Sequence, residues 1–246
     1  MLNYMEKISS IADLIKHLHK IYYSDCILLN IAGGVAVGKT TFANELSKHL
    51  NNSGLFTVVC STDNFLYSNK YLAQSGFTQK KGWPETYNWS LMLDFATRCK
   101  FRLNSDYSTP IYCHKTYDIR ENNYFHTPQP DVLIIEGVVA LNNNFSSLLD
   151  YGIFLDTTEE FAKLWFTERC LNCIKASIGQ PDNFYHRWSS WDTEKVMPVI
   201  NDYWEQINMK NFSENILKTK ESADLLIYKG HEHSLEFIVD GAKENA

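Results

Sequence analysis

The sequence has no long apolar run and no excess of basic residues, and each absence excludes a class of protein. Its longest apolar stretches, such as 132–135 and 138–141, are far shorter than the ~20 residues that span a bilayer. The formal net charge is −6 and the pI is near 5.7, whereas nucleic acids and anionic membranes select a basic face. The polar start at 1–7 lacks the apolar region of a signal peptide. We expect a cytoplasmic protein that binds neither nucleic acid nor membrane.

The six cysteines form neither a clear metal-binding pattern nor a clear disulfide pattern. Only Cys170 and Cys173 are closely spaced, and one C-x-x-C without a second pair or nearby histidines is a weak zinc signal. Both lie in a stretch, 161–176, whose pattern is typical of a helix. We therefore expect small side chains that are buried or line a pocket, in a reduced protein.

Apolar runs alternate with helical patterns along the chain. Runs at 26–32, 56–60, 131–135, 152–155 and 225–228 predict buried strands, and helices are predicted from Ile8 to Leu18, at 39–50 and at 91–103. Strands that are apolar on both faces and separated by helices indicate a mostly parallel sheet. No repeat or Pro/Gly-rich linker divides the sequence. We expect an α/β fold with helices on both faces of the sheet, as one domain over residues 1–246 with small lid and acceptor-binding insertions.

A glycine-rich motif lies between the first predicted strand and the next predicted helix. Residues 33–40, Gly-Gly-Val-Ala-Val-Gly-Lys-Thr, match the P-loop pattern G-x-x-x-x-G-K-S/T in the context that the motif requires. Its glycines let consecutive N–H groups point at a phosphate, and the helix adds its positive N-terminal end. Lys39 is expected on the β- and γ-phosphates of ATP and Thr40 on Mg²⁺. The predicted nucleotide contacts are Gly33, Gly34, Val35, Ala36, Val37, Gly38, Lys39, Thr40 and Thr41.

Asp63 is the first candidate on the acceptor side. It follows the strand predicted at 56–60, at the edge where an open α/β sheet binds its ligands. A carboxylate there can orient an acceptor hydroxyl and take its proton during phosphoryl transfer. The segment 61–64 is also good capping chemistry, so a helix or turn cap is the alternative interpretation.

Three further charged residues stand at positions that suit phosphoryl transfer. Glu136 ends the apolar run 132–135, where an acidic residue can hold Mg²⁺ directly or through water. Arg169 lies in the helix predicted at 161–176, and a guanidinium there can reach the transferring phosphoryl group. Arg187 is a second possibility, although exposed helical arginines are common.

Several segments, in the same order, carry a family resemblance. The loop at 33–41, the segment 62–67 (Thr-Asp-Asn-Phe-Leu-Tyr) and the segment 80–87 (Lys-Lys-Gly-Trp-Pro-Glu-Thr-Tyr) together resemble the type I pantothenate kinases of bacteria. The resemblance implies a P-loop kinase fold and ATP-dependent phosphorylation of pantothenate, the first step of coenzyme A biosynthesis. It also implies Asp63, Lys39 and Arg169 as catalytic residues, with Thr40 and Glu136 on Mg²⁺.

Later segments extend the resemblance to the acceptor and the adenine. Residues 111–114 with 117–118 are similar to a hairpin that contacts substrate, 165–169 to the start of the substrate helix, and 207–208 to a pair whose asparagine holds pantothenate. The implied acceptor contacts are Asp63, Tyr112, His114, Phe166, Arg169, Tyr185 and Asn208. Lys229 and His233 are placed like residues near adenine, although Tyr112 and His114 as structural hairpin residues and His233 as an exposed histidine are alternative interpretations.

The sequence departs from the family pattern at the acceptor pocket. Where the family has phenylalanines, this chain has Cys170, Cys173, Ile178 and Tyr185, and Phe166 replaces a tyrosine. Smaller, softer walls change the shape and the hydrogen bonds of a pocket. The chain also looks shorter at its N-terminus than the family, which leaves a homodimer and inhibition by coenzyme A open.

Two alternatives to pantothenate phosphorylation remain open. The first is a P-loop kinase for another small alcohol, such as a uridine-type nucleoside or a sugar-like or vitamin-like acceptor. The second is a nucleotide-binding pseudo-kinase, against which the joint presence of Lys39, Thr40, Asp63, Glu136 and Arg169 argues.

Overall fold

The computed structural model describes residues 4–21, 26–103 and 106–238, so both ends of the domain expected at 1–246 lie outside the described residues. In the described part, the α-helices are α1 (Tyr4–Ile21), α2 (Lys39–Asn52), α3 (Asn69–Gln74), α4 (Trp89–Lys100), α5 (Glu159–Ala176) and α6 (Thr193–Asp202). The strands are β1 (Ile27–Gly33), β2 (Thr57–Ser61), β3 (Asp106–Cys113), β4 (Asp118–Pro128), β5 (Val132–Glu136), β6 (Tyr151–Asp156), β7 (Leu225–Lys229) and β8 (Leu235–Ile238). None of these helices is long and apolar enough to cross a membrane.

The main sheet has the strand order β2-β5-β1-β6-β7-β8. All neighbouring strands are parallel except β8, which runs antiparallel to β7. This confirms the mostly parallel sheet that the apolar runs predict. The strand β8 was not predicted. Because parallel strands end at one edge, the carboxyl ends of β2, β5 and β1 open beside one another there.

Helices cover both faces of the sheet, as expected. On β1, Ile27, Leu29 and Ile31 belong to the core cluster that contains the buried residues of α1 and α2. Leu28 and Ala32 belong to the cluster on the other face, with residues of α4. Successive side chains of a strand point to opposite faces of the sheet. Burial of each large apolar side chain contributes about 1.5–3 kcal/mol to the stability of the fold.

One predicted helix is longer than the observed helix. The sequence pattern predicts a helix to residue 103, but α4 ends at Lys100. Arg102 has a φ of 52°, in the left-handed region that an α-helix of L-residues does not continue through. The apolar residues Phe101 and Leu103 therefore belong to the exposed turn after the helix.

Two segments outside the main sheet lie over its carboxyl edge. The strands β3 and β4 form an antiparallel hairpin of their own, with a register shift between Pro110 and Tyr112. After α6, the chain continues through π-helical turns at Tyr203–Met209 and Phe212–Ile216. Such wide turns are frequent at functional sites, and they shift the side chains that follow relative to an α-helix.

Candidate active site

The P-loop joins β1 directly to α2. Gly38 has a φ of 87° and precedes the first helical residue, Lys39, and no side chain caps this helix end. The loop therefore offers its backbone N–H groups to a ligand rather than to a capping residue. Lys39 Nζ donates to the carbonyl oxygen of Gly34 at 2.7 Å, which folds the lysine back over the loop.

The loop faces a cleft of about 1410 Å³. This exceeds the ~300–1,000 Å³ of a site for one small ligand, which leaves room for a nucleotide and an acceptor together. Of the nine predicted loop contacts, Val35, Ala36, Gly38, Lys39, Thr40 and Thr41 line the cleft, whereas Gly33, Gly34 and Val37 do not. Val37 is 1% exposed, so its side chain serves packing rather than direct contact.

Thr40 and Glu136 bring two oxygen donors together at the foot of the loop. Thr40 Oγ1 donates to Glu136 Oε1 at 3.0 Å. Glu136 ends β5, where burial raises the pKa of its carboxyl and the neighbouring Lys39 opposes the shift. Burial also disfavours the charged form of Lys39 and lowers its pKa to about 8, although the charges of Glu136 and Asp63 act to raise it. A hydroxyl and a carboxylate are ligands that suit Mg²⁺.

The arrangement suits a metal that is held mainly by its substrate. Among the described residues, no group of three or more His, Cys, Asp or Glu side chains could form a metal site of its own. Mg²⁺ in kinase sites keeps several waters and takes one or two protein oxygens plus phosphate oxygens. Thr40 and Glu136 supply oxygen ligands of this kind. In the part of the chain that the structure describes, Cys170 and Cys173 have no further His, Cys, Asp or Glu side chain that would complete a zinc centre.

Asp63 lies in a short 3₁₀ turn, Thr62–Phe65, just after β2. The side chain of Ser61 accepts from the Asp63 N–H at 3.3 Å and supplies the cap of this turn. The carboxylate of Asp63 therefore does not cap the turn and lines the cleft instead. Its charge acts on the pKa of Lys39 in the P-loop and of His114 in the hairpin, so it is within electrostatic range of both.

The β3–β4 hairpin carries Tyr112 and His114 into the same cleft. Asn64, the neighbour of Asp63, accepts from the Tyr112 N–H at 2.9 Å, which ties the hairpin to the acidic turn. The rings of Tyr112 and His114 pack edge to face at 5.1 Å. Burial lowers the pKa of His114 and raises the pKa of Tyr112, so both side chains are neutral hydrogen-bonding groups near neutral pH.

Helix α5 supplies Phe166 and Arg169 to the cleft, with Cys170 and Cys173 further along. Arg169 acts on the pKa of both Lys39 and His114, so its charge is within electrostatic range of the P-loop and of the hairpin. The two cysteines line the pocket, in agreement with their interpretation as small pocket-lining side chains. Tyr185 and Asn208, which the resemblance implies as acceptor contacts, also line it.

Ile178 does not belong to the pocket wall, contrary to the expectation from the sequence. It was expected to replace a family phenylalanine in the pocket, but its side chain is 64% exposed and lies outside the cleft lining. Helix α5 ends at Ala176, and Gly179 turns the chain with a φ of 74°. Ile178 therefore sits in the turn on the outer side.

Aromatic residues that the sequence interpretation did not select also line the pocket. Tyr117 stacks on Phe184 with the ring centroids 4.4 Å apart. The rings of Trp188 and Tyr203, 6.4 Å apart, also line the cleft, beside the expected acceptor contact Tyr185. The density of aromatics in the segment 184–188 is the sequence signal that could have found this wall. The pocket is thus more aromatic than the substitutions at Cys170 and Cys173 predict.

The family model of the phosphoribulokinase/uridine kinase family matches residues 28–169, which contain the P-loop, Asp63, the hairpin and Arg169. The chain belongs to this family of P-loop kinases. It is an ATP-dependent kinase, and the P-loop kinase fold is confirmed.

The kinase is similar to several curated proteins over most of its length. It is 33% identical over 224 residues to the pantothenate kinase of Photorhabdus laumondii, an alignment that covers 86% of this chain and 71% of that protein. It is 34% identical to the pantothenate kinase of Haemophilus influenzae over 221 residues, with the same two coverages. Among solved structures, the D-glycerate 3-kinase of Cryptococcus neoformans superposes with a TM-score of 0.64 at 14% identity, covering 95% of this chain and 99% of that one. This last likeness concerns the fold alone.

Of the two residues expected near adenine, His233 lines the cleft and Lys229 does not. His233 lines the cleft, and its ring packs on Trp165 at 4.2 Å. Lys229 is only 5% exposed and lies behind the loop, where its Nζ donates to the carbonyl oxygen of Val37 at 2.9 Å. The structure thus gives Lys229 a role in holding the loop, while Trp165 adds an aromatic surface that the sequence interpretation missed.

Lys81 is a second cleft residue that the sequence interpretation did not select. Its Nζ donates to Asn69 Oδ1 and to the carbonyl oxygen of Tyr117, each at 2.5 Å. The ammonium also lies over the Tyr117 ring, 4.5 Å from the centroid. Burial lowers the pKa of Lys81 to about 8, against the carboxylates of Asp118 and Asp63. The lysine ties the hairpin turn to the segment that follows Asp63.

Proposed function

We propose that this kinase transfers the γ-phosphoryl group of ATP to the hydroxyl of pantothenate, the first step of coenzyme A biosynthesis. The observation that carries the proposal is the position of Asp63, which lines one cleft with Lys39 of the P-loop and with Tyr112 of the hairpin. In this proposal, the base, the phosphate site and the acceptor wall share this cleft. The similarity to curated pantothenate kinases supports pantothenate as the acceptor.

In the proposed reaction, the protein supplies position and charge rather than covalent chemistry. The carboxylate of Asp63 aligns the acceptor hydroxyl and accepts its proton as the oxygen attacks the γ-phosphorus. Lys39 and Arg169 stabilise the negative charge that spreads over the phosphoryl oxygens. Both cations line the same cleft as Asp63.

We propose Thr40 and Glu136 as the residues that hold Mg²⁺. When bound there, the ion neutralises phosphate charge and orients the β- and γ-oxygens. The hydroxyl of Thr40 and the carboxylate of Glu136, which are hydrogen-bonded to each other at 3.0 Å, would be the protein's two oxygen ligands. Glu136 is 4% exposed, which keeps competing water away from its carboxylate.

We propose Tyr112, His114, Phe166, Tyr185 and Asn208 as acceptor contacts. The neutral His114 and Tyr112 suit the hydroxyl and amide groups of pantothenate, because each can donate or accept a hydrogen bond. Phe166 lacks the hydroxyl of the family tyrosine and packs against Trp204, with the centroids 5.4 Å apart. It supplies an apolar contact only.

A different acceptor is the second candidate function, and the pocket wall favours it. Cys170 and Cys173 stand in place of phenylalanines, and the aromatic wall comes instead from Tyr117, Phe184 and Trp188. A flat aromatic wall also suits the base of a uridine-type nucleoside. We propose pantothenate ahead of it because the curated relatives that cover most of the chain carry that name.

Further proposals concern the setting of the protein. We propose that it acts in the cytoplasm on a small-molecule alcohol, without nucleic acid or membrane, and that residues 1–246 form one domain. A homodimer is proposed on the family resemblance alone.

The experiment that tests the function is ATP consumption with Mg²⁺ against pantothenate, pantetheine, uridine, cytidine and other vitamin-like alcohols. Lys39→Ala is the control for the nucleotide site, and it should abolish transfer to every acceptor. Turnover that depends on pantothenate supports the proposal. Turnover of uridine alone supports the second candidate, and tight ATP binding without any turnover indicates a pseudo-kinase.

A further inference from the structure

Arg187 lies beside Phe184 and Trp188, two rings of the cleft wall. It lines the cleft, with its guanidinium carbon 4.2 Å from the Phe184 ring centroid and 5.3 Å from that of Trp188. Of the two arginines that the sequence offers for phosphoryl contact, Arg187 is the one that contacts this pair of aromatic rings.

The guanidinium of Arg187 is held in a fixed orientation with free donors. Its Nε donates to the carbonyl oxygen of Phe184 at 3.0 Å, and two aromatic rings support its plane. Within the described residues, no carboxylate lies within ion-pair distance of it; Asp182, which lines the same region, is not its partner. The two terminal nitrogens are therefore available, and a planar fork of this kind binds a carboxylate through two parallel hydrogen bonds.

The aromatic wall connects this cation to the proposed reaction centre. Arg187 lies on Phe184, Phe184 stacks on Tyr117 at 4.4 Å, and Tyr117 packs against Tyr112 at 6.1 Å. The charge of Asp63 acts on the pKa of Tyr112 and Tyr117. An extended acceptor whose hydroxyl is at Asp63 can follow this wall to Arg187.

We propose that Arg187 is a specificity-determining residue that binds a carboxylate at the end of the acceptor opposite the phosphorylated hydroxyl. The proposal rests on the proposed function and names one property of its substrate class: an extended alcohol with an anionic tail. Pantothenate has such a tail, whereas pantothenyl alcohol has a neutral hydroxymethyl group in its place. Nucleosides have no anionic group.

The test compares these two acceptors in the full-length protein and in Arg187→Gln. In the wild type, kcat/KM should favour pantothenate over pantothenyl alcohol by about 5-fold, the upper range for an ion pair at an exposed site such as Arg187. Arg187→Gln should remove most of this preference by raising the KM for pantothenate, with kcat and the KM for ATP little changed. Its kinetics with pantothenyl alcohol should stay within about twofold of wild type.

Two further variants separate recognition from folding and from bulk charge. Arg187→Lys keeps the charge but not the planar fork, so it should recover only part of the preference. Lys175→Gln removes an exposed charge of α5 outside the cleft lining, and it should leave the preference intact. Each variant is checked for a cooperative thermal transition before kinetics.

The outcomes separate this inference from the proposed function. If the wild type phosphorylates both acceptors equally well, Arg187 does not bind the carboxylate, although the pantothenate-type reaction stands. If Arg187→Gln weakens both acceptors equally, the residue is structural and the inference is wrong. If the wild type phosphorylates neither, the proposed function fails and the inference with it.

Discussion

Thr40 Oγ1 and Glu136 Oε1 lie 3.0 Å apart, although 96 residues separate them in the chain. The contact forms because β1 and β5 are neighbouring parallel strands, so the P-loop after one strand meets the acidic residue at the end of the other. Their junction supplies the two oxygen atoms proposed for Mg²⁺.

Thr40→Val should raise the Mg²⁺ concentration needed for half-maximal activity by about tenfold or more, because the isosteric side chain has no oxygen for the ion. Thr40→Ser keeps the hydroxyl and should stay close to wild type. The measurement is a Mg²⁺ titration of turnover at saturating ATP. Equal Mg²⁺ requirements for the valine and serine variants would remove Thr40 from the metal site.

The pKa of Lys39, lowered to about 8 by burial, predicts how ATP affinity depends on pH. ATP binds the charged ammonium, so binding raises the pKa of Lys39 and takes up about half a proton at pH 8. The dissociation constant should be flat below about pH 7.5 and rise by up to about tenfold per pH unit above pH 8.

Calorimetry between pH 7 and 9.5, in buffers of different ionisation enthalpy, measures both the affinity and the proton uptake. Lys39→Arg is the matched control, because a guanidinium stays charged throughout this range. Its affinity should not depend on pH above 8. A wild-type affinity that is equally flat would show that Lys39 does not titrate there.

The two glycines at the start of the P-loop should differ sharply in their tolerance of a side chain. A Cβ on Gly33, whose φ is 147°, would lie 2.3 Å from the backbone oxygen of Leu155. A Cβ on Gly34 would meet only the Phe212 ring, at an ordinary 3.5 Å. Gly33→Ala should lower the free energy of unfolding by about 2–4 kcal/mol, and Gly34→Ala by less than about 1 kcal/mol.

Urea unfolding of the two alanine variants measures this difference. The comparison is between neighbouring positions with the same chemical change, so unfolded-state effects are nearly matched. Similar losses at both positions would show that the backbone near Leu155 moves away at little cost.

Much of this architecture is predictable from local pattern. The strands β1, β5 and β6 are buried along nearly their whole length, and such runs leave a continuous apolar signature. The P-loop follows from glycine spacing because only a few residue types suit its backbone. Asp63 follows from its place after a strand, since parallel strands end at one edge of the sheet.

The acceptor wall is less predictable because distant segments build it. Ile178 was assigned to the pocket by its sequence position, but the turn at Gly179 places it outside. Phe184 enters the wall by stacking on Tyr117, a contact across 67 positions that no periodicity reveals. Lys229, at the end of β7, likewise donates to the P-loop carbonyl oxygen of Val37, a contact between segments far apart in the sequence.

Cys173 and Ile178 offer a test of this corrected pocket wall. Cys173→Phe should narrow the cleft, so the longer acceptor pantetheine should lose about tenfold in kcat/KM relative to pantothenate. Ile178→Phe adds bulk to a side chain that is 64% exposed outside the cleft, and it should leave the ratio unchanged. Acceptor kinetics at saturating ATP measure both ratios. An effect of Ile178→Phe as large as that of Cys173→Phe would contradict the placement of Ile178.

The most direct test of the central claim, that Asp63 takes the proton of an acceptor alcohol beside the P-loop, is the turnover number of Asp63→Asn with pantothenate and ATP. The amide keeps the size of the side chain but cannot act as the base, so kcat should fall by at least ~100-fold while ATP still binds as in the wild type. Near-normal turnover with normal ATP affinity would contradict the account, because the base would then have to be another group.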